Sequence, residues 1–288
     1  MNWTTLVSAE ELAARIGAPG LSIVDARFVL AGGDGEAGES AWLEAHIPGV
    51  GYVHLDRDLS DHDKSASEGR HPLPDAADFC RTLERLGIKA QSQVVVYDAV
   101  DGAMAAARFW WLLKLLGHDR VAVLDGGFAR WSALGLPVQA QAPALARGGY
   151  HASYDEALIA SVGEVSARLG EPSGWLLDAR AAERFRGDIE PLDRVAGHIP
   201  GALNRPYSAN MVDGSFRSPD LLRSEFKRLL AGRDPSDAVL SCGSGVTACH
   251  NLLAMEHAGL RGARVYAGSW SGWISDPTRP VAVGETSP

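Results

Sequence analysis

The chain alternates two kinds of segment. Short apolar runs, Ile23-Val24, Val94 through Tyr97 and Val123-Leu124, stand between longer stretches in which Ala and Leu recur among charged residues. The runs are strand-sized and the longer stretches helical. The alternation returns in the second half, around Leu176-Leu177, Val239-Leu240 and Val265. Strands alternating with helices predict an α/β fold built on a mainly parallel sheet covered on both faces. A helix over 105–116, rich in Ala, Leu and Trp, supplies one such cover.

The halves share more than a rhythm. Ser-Ala-Glu-Glu-Leu-Ala-Ala-Arg-Ile-Gly at 8–17 leads to Ile-Val-Asp-Ala-Arg at 23–27. Ser-Val-Gly-Glu-Val-Ser-Ala-Arg-Leu-Gly at 161–170 leads to Leu-Leu-Asp-Ala-Arg at 176–180, and nine of twenty aligned positions are identical. Ser8 with Glu11, and Ser161 with Glu164, have capping-box spacing. Gly17 and Gly170 then suit helix stops. His-Ile-Pro-Gly recurs at 46–49 and 198–201, and Val-Leu-Asp-Gly-Gly at 123–127 corresponds to Val-Tyr-Ala-Gly-Ser at 265–269. An internal duplication places one domain at 1–138, a linker rich in Ala, Gly and Pro at 139–153, and a second domain at 154–288.

Charge and cysteine content narrow the possibilities. A net charge of −9 argues against a nucleic-acid or anionic-membrane surface, which would want clustered Lys and Arg. No apolar run approaches the roughly 20 residues needed to cross a bilayer. The N-terminus shows no basic segment followed by an apolar one, and three cysteines are too few for a disulfide framework, so the cytoplasm is the expected compartment.

Where two copies coexist, their differences point to chemistry. The loop after the central strand reads Asp-Ala-Val-Asp-Gly-Ala-Met-Ala from Asp98, but Cys-Gly-Ser-Gly-Val-Thr-Ala from Cys242. Cys242 stands at the carboxyl end of a strand, where open α/β sheets bind ligands. Gly243 and Gly245 permit a tight curl that turns successive amides inward as an anion-binding nest. The stretch 246–259 reads as a helix whose positive end faces the sulfur. Nest and helix end both favour the nucleophilic thiolate. Cys80 fits the apolar face of a helix; Cys249, one turn into the helix after the loop, reads as structural, with a redox partner of Cys242 as the alternative.

The 242–248 loop, the paired Asp-Ala-Arg and His-Ile-Pro-Gly motifs and the Gly-Ser-Trp at 268–270 resemble the two-domain rhodanese family, most closely its 3-mercaptopyruvate sulfurtransferase branch. The resemblance spans about 3–283. It implies two tandem rhodanese-like domains, the first lacking the nucleophile and helping to frame the site. It implies a double displacement, in which Cys242 takes sulfur from a small anionic donor and hands it to cyanide or to a thiol such as thioredoxin or a small thiol. Neither cofactor nor metal is required. The loop amides of Gly243, Ser244, Gly245, Val246 and Thr247 would stabilise the anionic sulfur. By resemblance the hydroxyls of Ser244 and Thr247 lie near it, Arg184 grips the donor's anionic group, and Asp56 and His71 are the family's acidic and histidine residues. Asp58 could serve in place of Asp56.

At the position of the branch's second donor-binding arginine stands Leu192, with Arg194 two residues on as a substitute. Thiosulfate therefore competes with mercaptopyruvate as donor, while the neutral Gly243-Ser244 pair favours mercaptopyruvate. Among rival classes, a cysteine phosphatase would need an arginine six residues after the cysteine, where Ala248 stands. A non-enzymatic rhodanese-like binding module should have lost its cysteine. A zinc site from Cys242, Cys249 and His250 lacks suitable spacing.

Overall fold

The computed structural model describes residues 1–29 and 36–285. By packing, Met1–Asp61, Pro74–Asp155 and Asp213–Phe216 form one compact unit, and His62–Leu73, Glu156–Val212 and the chain from Arg217 onward form another. The units thus exchange short segments that a boundary near 138 does not anticipate: 62–73 leave the first half, and the Ala- and Pro-rich stretch 139–153 stays with it. One cause is close backbone packing inside the second unit, where a Cβ on Gly272 would sit 2.8 Å from the carbonyl of Ser67.

The first unit carries β1 (Leu6–Val7), β2 (Leu21–Asp25), β3 (Gly51–Tyr52), β4 (Gln93–Tyr97) and β5 (Val121–Leu124), all parallel, in the order β1-β5-β4-β2-β3. Parallel neighbours require crossovers, and these hold α1 (Ala9–Ala13), α2 (Ala37–Glu44), α3 (Leu55–Asp58), α4 (Ala76–Arg85) and α5 (Ala106–Leu115), while α6 (Gly127–Ala133) follows the last strand. Every residue of β4 is buried, as a central strand covered on both faces must be. Val95 and Tyr97 share one cluster with Leu12, Ile23, Ala122 and Trp131.

The second unit carries β6 (Leu176–Asp178), β7 (Leu203–Asn204) and β8 (Met211–Val212), while β9 (Ser215–Phe216) falls in the first. With β10 (Val239–Ser241) and β11 (Arg264–Val265) its main sheet runs β11-β10-β6-β7, again parallel. Its helices are α7 (Val162–Ala167), α8 (Ala182–Arg186), α9 (Pro219–Leu230), α10 (Ala248–His257) and α11 (Ser269–Trp273). Among the described residues no helix is long and apolar enough to cross a membrane.

The duplication is visible in the pairings. Val24 faces Val96 in the first sheet as Leu177 faces Leu240 in the second. Leu6 pairs with Val123, and the isolated bridge of Ile159 to Val265 repeats that contact. Each Asp-Ala-Arg closes on itself: Arg27 binds Asp25 at 2.7 Å and the carbonyl of Ala45, and Arg180 binds Asp178 at 2.7 Å and the carbonyl of Gly197. Each His-Ile-Pro-Gly starts with a buried histidine whose Nδ1 meets a helix carbonyl, Trp42 at 2.6 Å and Phe185 at 2.8 Å. These motifs are scaffold.

Two local expectations need correction. The capping box of α1 is complete, but in α7 only the Ser161 half forms, because Arg264 draws the Glu164 carboxylate away. Gly17 takes left-handed backbone at φ +76°, whereas α7 ends at Ala167 without needing that conformation at Gly170.

The loop after β4 is occupied by its own anion. The amides of Val100 and Gly102 donate to Oδ1 of Asp98 at 3.2 and 2.8 Å, and Met104 donates to Oδ2 at 3.3 Å. Burial pushes the Asp98 carboxyl up to about 6, with a smaller push from Asp101, against the pull of these amides. The folded chain therefore holds a proton here that the unfolded chain has released between about pH 4 and 6, and stability falls as pH rises through that window. We expect Asp98→Asn to remove this dependence. Wild-type unfolding free energy minus that of the variant should drop by up to about 3 kcal/mol from pH 4 to 7 in urea titrations. A pH-independent difference would contradict the assignment.

Candidate active site

Cys242 follows the last residue of β10 and is 2 % exposed, with a free thiol. Its surroundings are built from the backbone. The amide of Gly245 donates to Sγ at 3.1 Å. Gly245 takes φ +75°, and a Cβ there would lie 2.3 Å from the carbonyl of Ala267, so only glycine fits the curl. The amides of Gly243, Ser244, Val246 and Thr247, just ahead of α10, have no acceptor among the described residues. Thr247 is the cap residue of that helix, and Val246 is buried. The thiol of Cys249, one turn into α10, donates to the carbonyl of Gly245 at 3.3 Å and so braces the loop from behind.

A second turn of chain fixes the loop from the other side. The Ser269 hydroxyl accepts from the Cys242 amide at 3.0 Å. The amides of Trp270 and Ser271 donate to the carbonyls of Cys242 and Gly243 at 3.0 and 2.9 Å. Ser269 sits at φ +49° and is fully buried. Left-handed backbone costs a non-glycine residue about 1–3 kcal/mol, so the position is held against strain. The first unit repeats the turn, with Phe128 and Ala129 donating to the carbonyls of Asp98 and Ala99, and there Gly127, matched to Ser269, is left-handed together with Gly126.

The side chains around the loop come from two stretches of the second unit. His71, from 62–73, places Nδ1 2.8 Å from Oγ of Ser244, both buried. Arg70 beside it donates its own amide to Oγ of Ser271 at 2.9 Å and an Nη1 proton to Asp193 at 2.5 Å. From α8, Arg184 binds Glu190 at 2.6 Å and Asp193 at 3.3 Å. Burial alone would raise the Glu190 carboxyl, but Arg184 and the amides of Leu192 and Asp193 hold it below its ordinary value. A Cβ on Gly243 would have Nη2 of Arg70 at 3.3 Å and the Nη atoms of Arg184 at 3.6 and 3.7 Å as its nearest neighbours.

The structure therefore brings Cys242, Gly243, Ser244, Gly245, Val246, Thr247, His71 and Arg184 to one loop. Arg194 turns to the carbonyl of Ile274 instead, and Leu192 is 46 % exposed. Asp56 lies in the first unit, on the opening turn of α3, where its amide donates to Nδ1 of His54. Asp58 is engaged structurally, accepting from the His54 amide and pairing with Arg85. Among the described residues no three His, Cys, Asp or Glu are grouped as a metal would need. Sequence reading passed over Arg70 and Ser269. Their signals were adjacency to His71 for the first, and for the second its place opposite Gly127 in the duplicate.

Two parallel-sheet units of matching register, one ending its central strand in a thiol inside a nest of amides, define a duplicated α/β protein built for thiol chemistry. The chain belongs to the rhodanese-like family: the Rhodanese-like domain matches twice, over residues 8–134 and 161–276. It is 47 % identical over 99 % of its length to all of a Pseudomonas aeruginosa protein named "Probable 3-mercaptopyruvate sulfurtransferase". It is 41 % identical, over 97 % of each chain, to SseB of Mycobacterium tuberculosis, which carries a provisional thiosulfate sulfurtransferase name. Among solved structures, SseA of Escherichia coli, a 3-mercaptopyruvate sulfotransferase, superposes with TM-score 0.81 at 32 % identity, over 93 % of this chain and 99 % of that one.

If Ser269 holds the loop as described, Ser269→Ala leaves a buried amide without its acceptor and keeps the backbone strain. We expect a loss of about 1–3 kcal/mol in urea unfolding. Ser269→Gly should lose about 1 kcal/mol less, because glycine accepts the left-handed backbone. Unchanged stability in Ser269→Ala would remove the hydroxyl from the account.

Proposed function

We propose that the protein is a sulfurtransferase that moves sulfur from 3-mercaptopyruvate, through a persulfide on Cys242, to a thiol or to cyanide. The observation that carries this reading is the Cys242 loop. Its sulfur already accepts the Gly245 amide, four neighbouring loop amides have no acceptor among the described residues, and two guanidiniums lie close to Gly243.

The Cys242 thiolate attacks the donor's sulfur. A new S–S bond forms as the donor's C–S bond breaks, its electron pair leaves as the enolate of pyruvate, and a proton returns the enolate to pyruvate. The acceptor thiolate or cyanide then attacks the outer sulfur, breaking the S–S bond and restoring the Cys242 thiolate. No external oxidant or reductant enters. The loop donors stabilise the negative sulfur at each stage, as preorganised dipoles do for an oxyanion. Ser244, tied to His71, is suited to pass the proton. Arg184 faces the donor's carboxylate, a planar anion that matches its fork. Asp56 keeps the acidic role that the family resemblance implies. The duplicated copy of 1–138, with Asp98 at the corresponding strand end, is the half without a nucleophile. A cytoplasmic setting and a small thiol or thioredoxin as acceptor complete the proposal.

Thiosulfate is the second reading, favoured by the provisional name of the mycobacterial relative. With thiosulfate an S–S bond breaks and sulfite leaves, while every step at Cys242 is unchanged. Mass spectrometry after exposure to each donor tests the chemistry: Cys242 should gain one sulfur atom, and Cys242→Ser should gain none there. No persulfide with either donor would favour a binding module. Initial rates decide the donor, and a large preference for thiosulfate would overturn mercaptopyruvate. Arg184→Ala should lower kcat/KM for the donor about 10- to 100-fold, the worth of one charge-assisted hydrogen bond. An unchanged specificity constant would refute its role.

A further inference from the structure

The duplication gives each unit a cavity at the same place, beside the edge strand of its sheet. In the first unit it measures about 300 Å³ and is lined by Trp42, Gly51, Arg85, Leu86, Leu145 and Arg147, among others. In the second it measures about 240 Å³, with Phe185, Leu203 and Leu229 in its walls. The linings correspond position by position. Trp42 and Phe185 each give a carbonyl to the turn histidine, and Gly51 and Leu203 hold matching places in β3 and β7. Arg85 and Leu229 are 144 residues apart, the spacing that also matches Val95 to Val239.

The two linings differ in charge. The second cavity has Arg186 at its wall, but Asp188 pairs with it at 2.7 Å, and a leucine stands where the first has Arg85. In the first, Arg85 is held by the Tyr52 carbonyl at 3.2 Å and by Asp58 at 2.5 Å, while the Arg147 side chain has no acceptor among the described residues. The apolar walls are fixed by contacts within the chain. Trp42 stacks on His46 and Tyr52 at 5.2 and 5.5 Å and donates Nε1 to the Val50 carbonyl at 3.2 Å. The stretch 143–147 is pinned on either side, the Gln141 amide donating to Leu43 and the Gly148 amide to Glu84, both at 3.0 Å. A Cβ on Gly51 would lie 2.5 Å from Cδ2 of Leu86 and 2.8 Å from Cδ1 of Leu145, so only bare backbone lets the two leucines meet at the edge strand. A preformed apolar cavity with one cation left unmatched, in a chain of net charge −9, has the composition of a small-molecule site.

We propose that the first unit's cavity binds a small organic anion with an apolar body, an aryl or alkyl carboxylate. Its charge meets Arg147, whose planar fork suits a carboxylate, and its body packs on Trp42, Leu86 and Leu145. The site lies in the unit whose central strand ends in Asp98 and gives that unit a binding role independent of the chemistry at Cys242. The cavity of the second unit, which lacks the unmatched cation, is the internal control.

Hydrogen exchange on the full chain, read by mass spectrometry, tests the site with 3-phenylpropionate, hexanoate and the neutral 3-phenylpropionamide as probes. We expect both carboxylates to slow exchange saturably in peptides covering 84–88 and 141–149. The amide should bind about tenfold more weakly than its acid, the worth of one charge-assisted hydrogen bond. Peptides covering 203–204 and 229 should not change. Arg147 is exposed, so its variants should fold. Arg147→Gln should weaken the carboxylates by a similar factor and leave the amide unchanged. Arg147→Glu should reverse the preference, excluding the carboxylates and admitting 3-phenylpropylamine. Absence of saturable protection with both carboxylates overturns the proposal. Equal binding of acid and amide overturns it as well, since no charge would then be read. The same holds for protection shared equally by the two cavities, or confined to the Cys242 loop, where Arg184 would be holding the probe. If Arg147→Gln weakens acid and amide alike, the arginine only braces the wall and the site falls.

Discussion

At φ +49°, Ser269 points its hydroxyl at the amide of Cys242 while the next two amides take the carbonyls of Cys242 and Gly243. The loop cannot form in its observed curl without that turn, because its backbone would lose three partners in a buried place. The same turn exists in the first unit at Gly127, where a Cβ would lie 2.7 Å from the carbonyl of Asp98. One copy therefore needs glycine for space. The other has room for a side chain, and the hydroxyl uses it to hold the nucleophile's own amide. Strain at one residue is the condition for a rigid thiol at the strand end.

From that shared frame the copies diverge in what fills the nest. In the first unit the carboxylate of Asp98 accepts three loop amides, so the donors are consumed internally. In the second, among the described residues, one amide reaches the sulfur and four others have no acceptor. A nest closed by its own carboxylate has no capacity for a ligand, whereas one left open can meet charge that appears only during a reaction. The exchange of aspartate for cysteine thus converts a structural turn into a reactive one without altering the sheet beneath.

Much of this was legible in the sequence, because duplication leaves paired signals. Strand ends, the Asp-Ala-Arg ion pairs, the turn histidines and the Cys242 loop follow from motifs that occur twice or differ at one matched position. What escaped is what pairs across sequence distance. Arg264 captures Glu164 from 100 residues away, and nothing local reveals that the second capping box stays half-made. Arg70 lies 173 residues before Gly243, in a segment whose packing crosses the apparent boundary between the repeats. Local rules read helix caps and nests well; they are silent on which loop a borrowed segment will reach.

The charge arithmetic around Gly243 explains how two arginines can lie so close together there. Two cations close together repel, and each loses hydration in a partly buried site. Asp193 offsets both at once, and Glu190 takes the rest of Arg184. The formal charges of the two arginines and the two acids thereby cancel, which those of a bare pair of arginines would not. The compensation is incomplete by geometry: the acids hold Nη1 of Arg70 and the Nε and Nη2 atoms of Arg184, and among the described residues Nη2 of Arg70 has no acceptor. Carboxylates that position guanidiniums also compete with the ligand for them. Any anion that approaches Gly243 must therefore share these guanidiniums with Asp193 and Glu190, which moderates its affinity.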